Sequence, residues 1–263
     1  MNNKFKHIHL LGLSLLLIPW AQAHHGREFL LTEDPMVPEP GHGHLMLGAE
    51  FDDADSGEEW GLEPGVMLGV SRWIGLDLSA RFGEDSESDW DYQAVSAGLL
   101  ISPSEPSWPV RIGLGLGYNF AQESATHDHH HDMDHETMAD EEDTMTHEHH
   151  GIHAHGISGF HARLIAETDL TDDLRFVANL VGMFPEDGTP AWGYAYGLRY
   201  SVNSDLSFGL EGTGDFDSEG EQLLLGAVYW RPTSCLTLKL GAGPGLTDQS
   251  PDLAVRAGVA WCF

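Results

Sequence analysis

Residues 126–155 read THDHHHDMDHETMADEEDTMTHEHHGIHAH, placing ten histidines, nine carboxylates and three methionines together without a lysine or arginine. Neutral imidazole ligates zinc, nickel, cobalt and copper, and a thioether adds affinity for cuprous ion. The imidazoles form two clusters. His127, His129, His130, His131 and His135 make the first, and His147, His149, His150, His153 and His155 the second, with the acidic run 138–143 between them. No ligand spacing repeats, so the pattern predicts loose binding of several transition-metal ions rather than one rigid centre. The alternative is a solvated loop whose histidines are incidental, because loops tolerate insertion. His24 with a free amine, together with His25, could chelate copper, and His42 and His44 follow closely in sequence. No resident cofactor is required; a metal ion would be ligand or cargo.

The start of the chain sets the compartment. Lys4 and Lys6 precede an apolar run over 10–20, and Ala21-Gln22-Ala23 is a small-residue cleavage site. Residues 1–23 therefore read as a secretory signal peptide directing Sec-type export. Cleavage removes two lysines and no acid, taking the formal charge from −30 to −32. Such a chain repels phosphates, which excludes nucleic acid as a partner. No later stretch reaches the roughly 18 continuous apolar residues of a transmembrane helix. Cys235 and Cys262 would meet an oxidising compartment.

Periodicity predicts the architecture. From Gly43 onward, period-two alternation recurs in segments of about ten residues separated by turn chemistry, the pattern of a transmembrane antiparallel β-barrel. Twelve segments are expected, near 43–52, 60–71, 73–83, 91–102, 109–121, 157–168, 173–184, 191–203, 205–214, 222–231, 235–244 and 252–263. An even count brings both ends to one side, the periplasm. Residues 24–42 are then a periplasmic N-terminal segment and 43–263 the barrel. Connections 52–59, 84–90, 122–156, 185–190, 216–222 and 244–251 become extracellular loops, and the histidine tract fills the longest.

Each segment has two faces. In one, Ile112, Leu114, Leu116, Tyr118 and Phe120 alternate with Arg111, Gly113, Gly115, Gly117 and Asn119. Large apolar and aromatic side chains against glycine and charge suit lipid outside and a polar lumen inside. The inward face then carries Arg81, Arg111, Arg163, Arg175, Arg199, Lys239 and Arg256, with Glu50, Glu63, Asp77, Glu167 and Glu211. Arg27, Arg72 and Arg231 fall on the periplasmic side. Charges in so confined a lumen must pair, so a salt-bridged polar core is expected ahead of a selectivity lining. The lumenal glycines argue against complete plugging and suit tight curvature. Strands eleven and twelve put Cys235 and Cys262 opposite each other, so a cross-strand disulfide is feasible in a non-hydrogen-bonded pairing.

Two resemblances add to this reading. The end of the chain, Val259-Ala260-Trp261-Cys262-Phe263, resembles the C-terminal signal of Gram-negative outer-membrane proteins, which implies the barrel-insertion machinery and outer-membrane lipid as partners. The stretch Thr32-Glu33-Asp34-Pro35, Pro38-Glu39-Pro40-Gly41 and Leu45-Met46-Leu47-Gly48-Ala49-Glu50-Phe51 resembles the entry of outer-membrane barrels of the MetA-pathway-of-phenol-degradation type, described as transporters. That resemblance implies a barrel of this size and small-molecule passage. Hydrolysis is not expected, because Ser158 and His161 are three apart on a strand and face opposite sides. The functional expectation is an outer-membrane barrel that binds transition-metal cations at the cell surface and mediates their passage. A generic small-molecule channel and a non-conducting surface protein are the alternatives.

Overall fold

Alternation over ten or so residues gives each segment one face for lipid and one for the bore, and twelve such segments close on themselves. The computed structural model describes residues 28–54, 57–84, 90–122, 157–186, 188–217 and 220–263. Its strands are β1 (Gly43–Ala54), β2 (Gly57–Ser71), β3 (Ile74–Glu84), β4 (Asp91–Ile101), β5 (Arg111–Ala121) and β6 (Gly159–Asp169), followed by β7 (Leu174–Pro185), β8 (Ala191–Ser201), β9 (Leu206–Asp215), β10 (Gln222–Thr233), β11 (Leu236–Gly243) and β12 (Leu253–Cys262). Every strand pairs antiparallel with its sequence neighbours, and β12 returns to β1 to close the barrel. Closure removes the free edges that would leave backbone groups unpaired in lipid. All twelve expected strands are present, with ends displaced by a few residues.

The two rims differ. Gly43 and Phe263 exchange backbone hydrogen bonds of 3.0 and 2.9 Å, so the wall begins and ends at one rim, here called the terminal rim. The opposite, loop rim carries the β5–β6 connection with the histidine tract. Outward side chains follow the expected phase: Ile112, Leu114 and Leu116 are exposed, whereas Arg111 lies inside. Exposed aromatics gather near both rims, with Trp60, Phe120, Phe160 and Trp192 at one and Trp73, Trp108, Tyr200 and Trp230 at the other. Paired girdles of this kind flank the apolar band of a transmembrane barrel.

At the terminal rim Cys235 and Cys262 are joined by a disulfide across a Cα–Cα distance of 4.9 Å. The register that pairs Leu236 with Trp261 sets the two cysteines directly opposite. The Cys262 amide donates to the Cys235 carbonyl at 2.9 Å, so the pair carries a ladder hydrogen bond, unlike the non-hydrogen-bonded pairing expected. The bond ties β11 to β12 beside the β12–β1 seam.

One region departs from the sequence reading. The described part of the segment expected outside the barrel, residues 28–40, lies within the bore. From Gly41, whose amide donates to the Gly69 carbonyl at 3.0 Å, the chain runs inward past the ends of β2, β3 and β5. It turns near Leu31, which packs against Leu223, Leu225 and Ala254, and doubles back to Glu28 at the terminal side. Phe29 joins Met67, Leu100, Ile165, Val177, Ala227 and Tyr229 in an apolar cluster inside the barrel. The physical reason is burial: Phe29, Leu30, Leu31 and Val37 find apolar cover in the bore that water would not give them.

Candidate functional site in the charged bore

The bore takes its chemistry from inward-facing positions of ten-residue strands, so its charges stand in layers fixed by register. Near the loop rim, Arg256 of β12 holds Asp52 of β1 through two hydrogen bonds of 2.6 and 2.8 Å. Arg81 of β3 pairs with Glu50, and its Nε donates to Gln93 at 2.8 Å. Glu221, just before β10, has its carboxyl pushed up to about 7 by burial and then by Asp52, against a lowering pull from Arg256; Asp215 and Glu59 raise it further. This end of the bore is an acidic vestibule with two arginines in it.

The middle layer holds the inserted loop. Glu211 of β9 is fully buried and accepts the backbone amides of Leu30, Leu31 and Thr32 at 2.8, 2.7 and 3.2 Å. The Tyr229 hydroxyl donates to the same carboxylate. Asn179 of β7 pairs with the backbone of Glu33 in both directions, accepting from its amide at 2.8 Å and donating to its carbonyl at 2.9 Å. Lys239 of β11 donates to the Phe29 carbonyl at 2.8 Å, and Arg163 of β6 meets Glu33 at 2.5 Å. These side chains give the loop backbone the partners that a sheet would otherwise supply, which any buried backbone needs.

Toward the terminal rim, Arg111 binds Glu167 and Asp169 at 2.6 and 2.8 Å, and Arg175 reaches Asp169 at 3.0 Å. Arg175 and Arg199 both contact Oε2 of Glu28, at 2.6 and 2.8 Å, while Arg231 stands 3.7 Å from its Oε1. A cavity of about 330 Å³ opens beside them, lined also by Ser201, Ser204 and Ser207.

The expected inward basic residues are thus lumenal, and the expected salt-bridged interior is present. Its acids come from the loop as well as from the wall, which the strand-by-strand reading missed. Some lumenal glycines make room for the loop, and others, such as Gly61 and Gly83, for the wall side chains Glu50 and Gln93. A Cβ at Gly197 would stand 2.6 Å from the Phe29 ring, and one at Gly69 would strike the Pro38 carbonyl. The signal that could have revealed this was Phe29-Leu30-Leu31 and Met36-Val37, an apolar content too high for an exposed linker.

The proposed metal ligands His127, His129, His130, His131, His135, His147, His149, His150, His153 and His155, together with His24 and His25, fall outside the described residues, as do the expected signal peptide and its cleavage site. Among the described residues, no group of three or more His, Cys, Asp or Glu side chains could hold a metal ion. Ser158 Oγ accepts from the Ala121 amide at 3.0 Å, while His161 lies on the inward face of β6 against Gly117.

No family model matches the chain, and no curated protein matches its sequence. Solved structures resemble its fold. A KdgM porin aligns over 84% of this chain and 99% of its own at 10% identity and a TM-score of 0.55. A NanC porin aligns over 82% and 98% at 11% identity and 0.53. An outer-membrane channel from Pseudomonas putida F1 aligns over 89% and 100% at 9% identity and 0.55. At these identities the likeness is one of fold: a closed twelve-stranded barrel of the outer-membrane kind.

Proposed function

We propose that the protein is a Gram-negative outer-membrane channel for small polar solutes, exported by the Sec route, with residues 28–40 stopping its bore at rest. The carrying observation is the Glu211 carboxylate, which binds three consecutive loop amides from the centre of the wall. Polar side chains of the wall seat the loop backbone, and the arginine–carboxylate layers at either end of the bore offer polar solutes partners of the same kind. Barrels of similar fold bear the names of porins and channels, and one KdgM porin was solved in complex with disordered oligogalacturonate. The terminal Phe263 is the handle for the insertion machinery on this reading, and the loop rim is extracellular.

Planar-bilayer recording tests the proposal. The full mature chain should show low conductance, and a variant lacking 24–37 should show a larger, steady one. A deletion variant as closed as the parent would reject the channel.

The histidine tract supports a second activity at the same protein: capture of transition-metal cations at the outer mouth. Ten imidazoles between β5 and β6 favour it. Protons and metals compete for the same nitrogens, so binding must weaken as pH falls through about 6.5. Titration of zinc, nickel and cupric ions into the refolded parent and a variant lacking 126–155 should show most sites lost in the variant. Equal stoichiometry would assign binding elsewhere.

A further inference from the structure

The layer nearest the terminal rim holds more cation than its neighbours can satisfy. Arg175, Arg199 and Arg231 come from three strands, β7, β8 and β10, and converge on one carboxylate, Glu28. That carboxylate offers two oxygens. One is shared by Arg175 and Arg199; the other is 3.7 Å from Arg231, too long for a hydrogen bond. Guanidinium forks match carboxylates two donors to two oxygens, so three forks call for more acceptors than Glu28 supplies. The shortage is visible. Nε of Arg199 and Nε of Arg231 are buried without a hydrogen-bond partner, and the Arg199 side chain is only 9% exposed. Such orphaned donors are costly unless something else can satisfy them.

The acids around the cavity relieve it only in part: Asp205, which accepts from the Ser204 hydroxyl at 2.8 Å, attracts Arg231. Asp169 is engaged by Arg111 and Arg175, and Glu167 is held deeper by Arg111. Asp172 and Asp173 are exposed in the β6–β7 turn, at the rim of the cavity. Ser201, Ser204 and Ser207 add neutral hydroxyls to the lining. The Arg199 guanidinium also lies 5.1 Å over the Tyr229 ring, which fixes its plane. The site is open to solvent at the terminal rim and closed above by the loop.

We infer that this arginine-lined cavity is a binding site for small organic dicarboxylates, and that Glu28 occupies it as a built-in substitute for the ligand. A dicarboxylate brings four oxygens where Glu28 brings two, and can reach the donors that Glu28 leaves unused. Ligand and Glu28 compete for Arg175 and Arg199, so binding works against the loop's seat in the bore. Glu28 is the first described residue of the inserted loop, and its amide donates to Asp34 at 2.6 Å. Displacing the carboxylate therefore removes one of the loop's attachments to the wall, and the solute would help open its own route. The inference deepens the channel reading, but its test needs no conductance.

Succinate binding to the mature chain in detergent micelles, measured by calorimetry at fixed ionic strength against chloride, is the direct probe. Glu28→Gln removes the competitor's charge while leaving the arginines, and should bind succinate at least tenfold more tightly than the parent. Arg231→Gln should lose that binding, and Arg231→Lys should recover part of it. In the parent, succinate should speed hydrogen exchange at the Leu30 and Leu31 amides, and equal ionic strength as chloride should not. Glu28 lies on the loop, so the wall folds in the Glu28→Gln variant whatever the loop does. Equal or weaker succinate binding by Glu28→Gln, or none by either protein, would overturn the inference even if the barrel conducts.

Discussion

Replacing Glu211 by Gln tests the central claim that polar groups of the wall seat the loop. The wild-type carboxylate receives three backbone amides, the Thr32 hydroxyl at 3.4 Å and the Tyr229 hydroxyl. Glutamine keeps one acceptor oxygen and turns the other into a donor that faces backbone N–H groups. The glutamine oxygen is best placed at the Oε2 position, where it keeps the Leu31 and Thr32 amides at 2.7 and 3.2 Å and stays within reach of Leu30 at 3.1 Å. The NH2 group then stands at the Oε1 position, beside the Leu30 amide and the Tyr229 hydroxyl, which can turn to accept from it. Hydrogen bonds to a charged acceptor contribute about 1.5–3 kcal/mol each, and neutral ones about 0.5–1.5. Loss of the charge at three amides therefore gives about 3–4 kcal/mol against the seated loop. Hydrogen exchange at Leu30, Leu31 and Thr32 should accelerate by about two to three powers of ten if it proceeds by loop release. The β8–β9–β10 ladder around Glu211 is made by the backbone, so amides of Gly197 and Leu225 should keep their protection. Unchanged exchange at Leu31 in a folded Glu211→Gln barrel would refute the seating argument. Equal acceleration in loop and wall would mean that the residue supports the barrel rather than the loop.

Other expectations concern the wall and its loop rim. Leu114 is exposed at the middle of β5, and Leu114→Arg should cost about 2–4 kcal/mol in a refolding equilibrium in lipid; no cost would reverse the facing of the wall. Cys235→Ser with Cys262→Ser opens a loop with a sequence separation of 27, and chain entropy sets the loss of stability at about 3–4 kcal/mol, read as a lower urea midpoint. The raised carboxyl of Glu221 keeps its proton in the folded chain after the unfolded chain has lost it. Its contribution to stability is therefore full below about 4.5 and lost as pH rises through about 7. As pH falls from 8 to 6 the loop-rim vestibule should lose a negative charge and some cation selectivity, read as a shift in reversal potential. Glu221→Gln should remove that part of the shift, leaving only what the histidine tract contributes.

The strands were legible because membrane and water impose a two-residue period that side chains must obey. Leu114 and Arg111 could be assigned to opposite faces from spacing alone, and the cysteines could be matched by counting from a turn. Which bond of the ladder joined the cysteines was not legible, because hydrogen-bonded and non-hydrogen-bonded pairs have the same side-chain phase. The inserted loop was missed for a different reason. Glu28 to Pro40 has no period, and its prolines read as linker chemistry. Its contacts with Glu211, Asn179 and Lys239 join residues more than a hundred positions apart, which no local pattern encodes. The lumenal charges were found, but half of their meaning lay in partners that seemed to belong outside.

The path of the loop also fixes how it responds to force. Its two described ends, Glu28 and Pro40, both lie toward the terminal rim, so no described part has to thread the wall when it comes out. A pull on the chain ahead of Glu28, directed out of that rim, loads the Arg175–Arg199 contact first, then the Phe29 carbonyl on Lys239, and only then the amides on Glu211. Attachments loaded one after another peel, as a zip does, at a force set by the strongest single attachment. Had the segment crossed from rim to rim, the same bonds would have borne the load together in shear. On the channel reading, a tether at the terminal rim could withdraw the loop with modest mechanical work and leave the strands undisturbed.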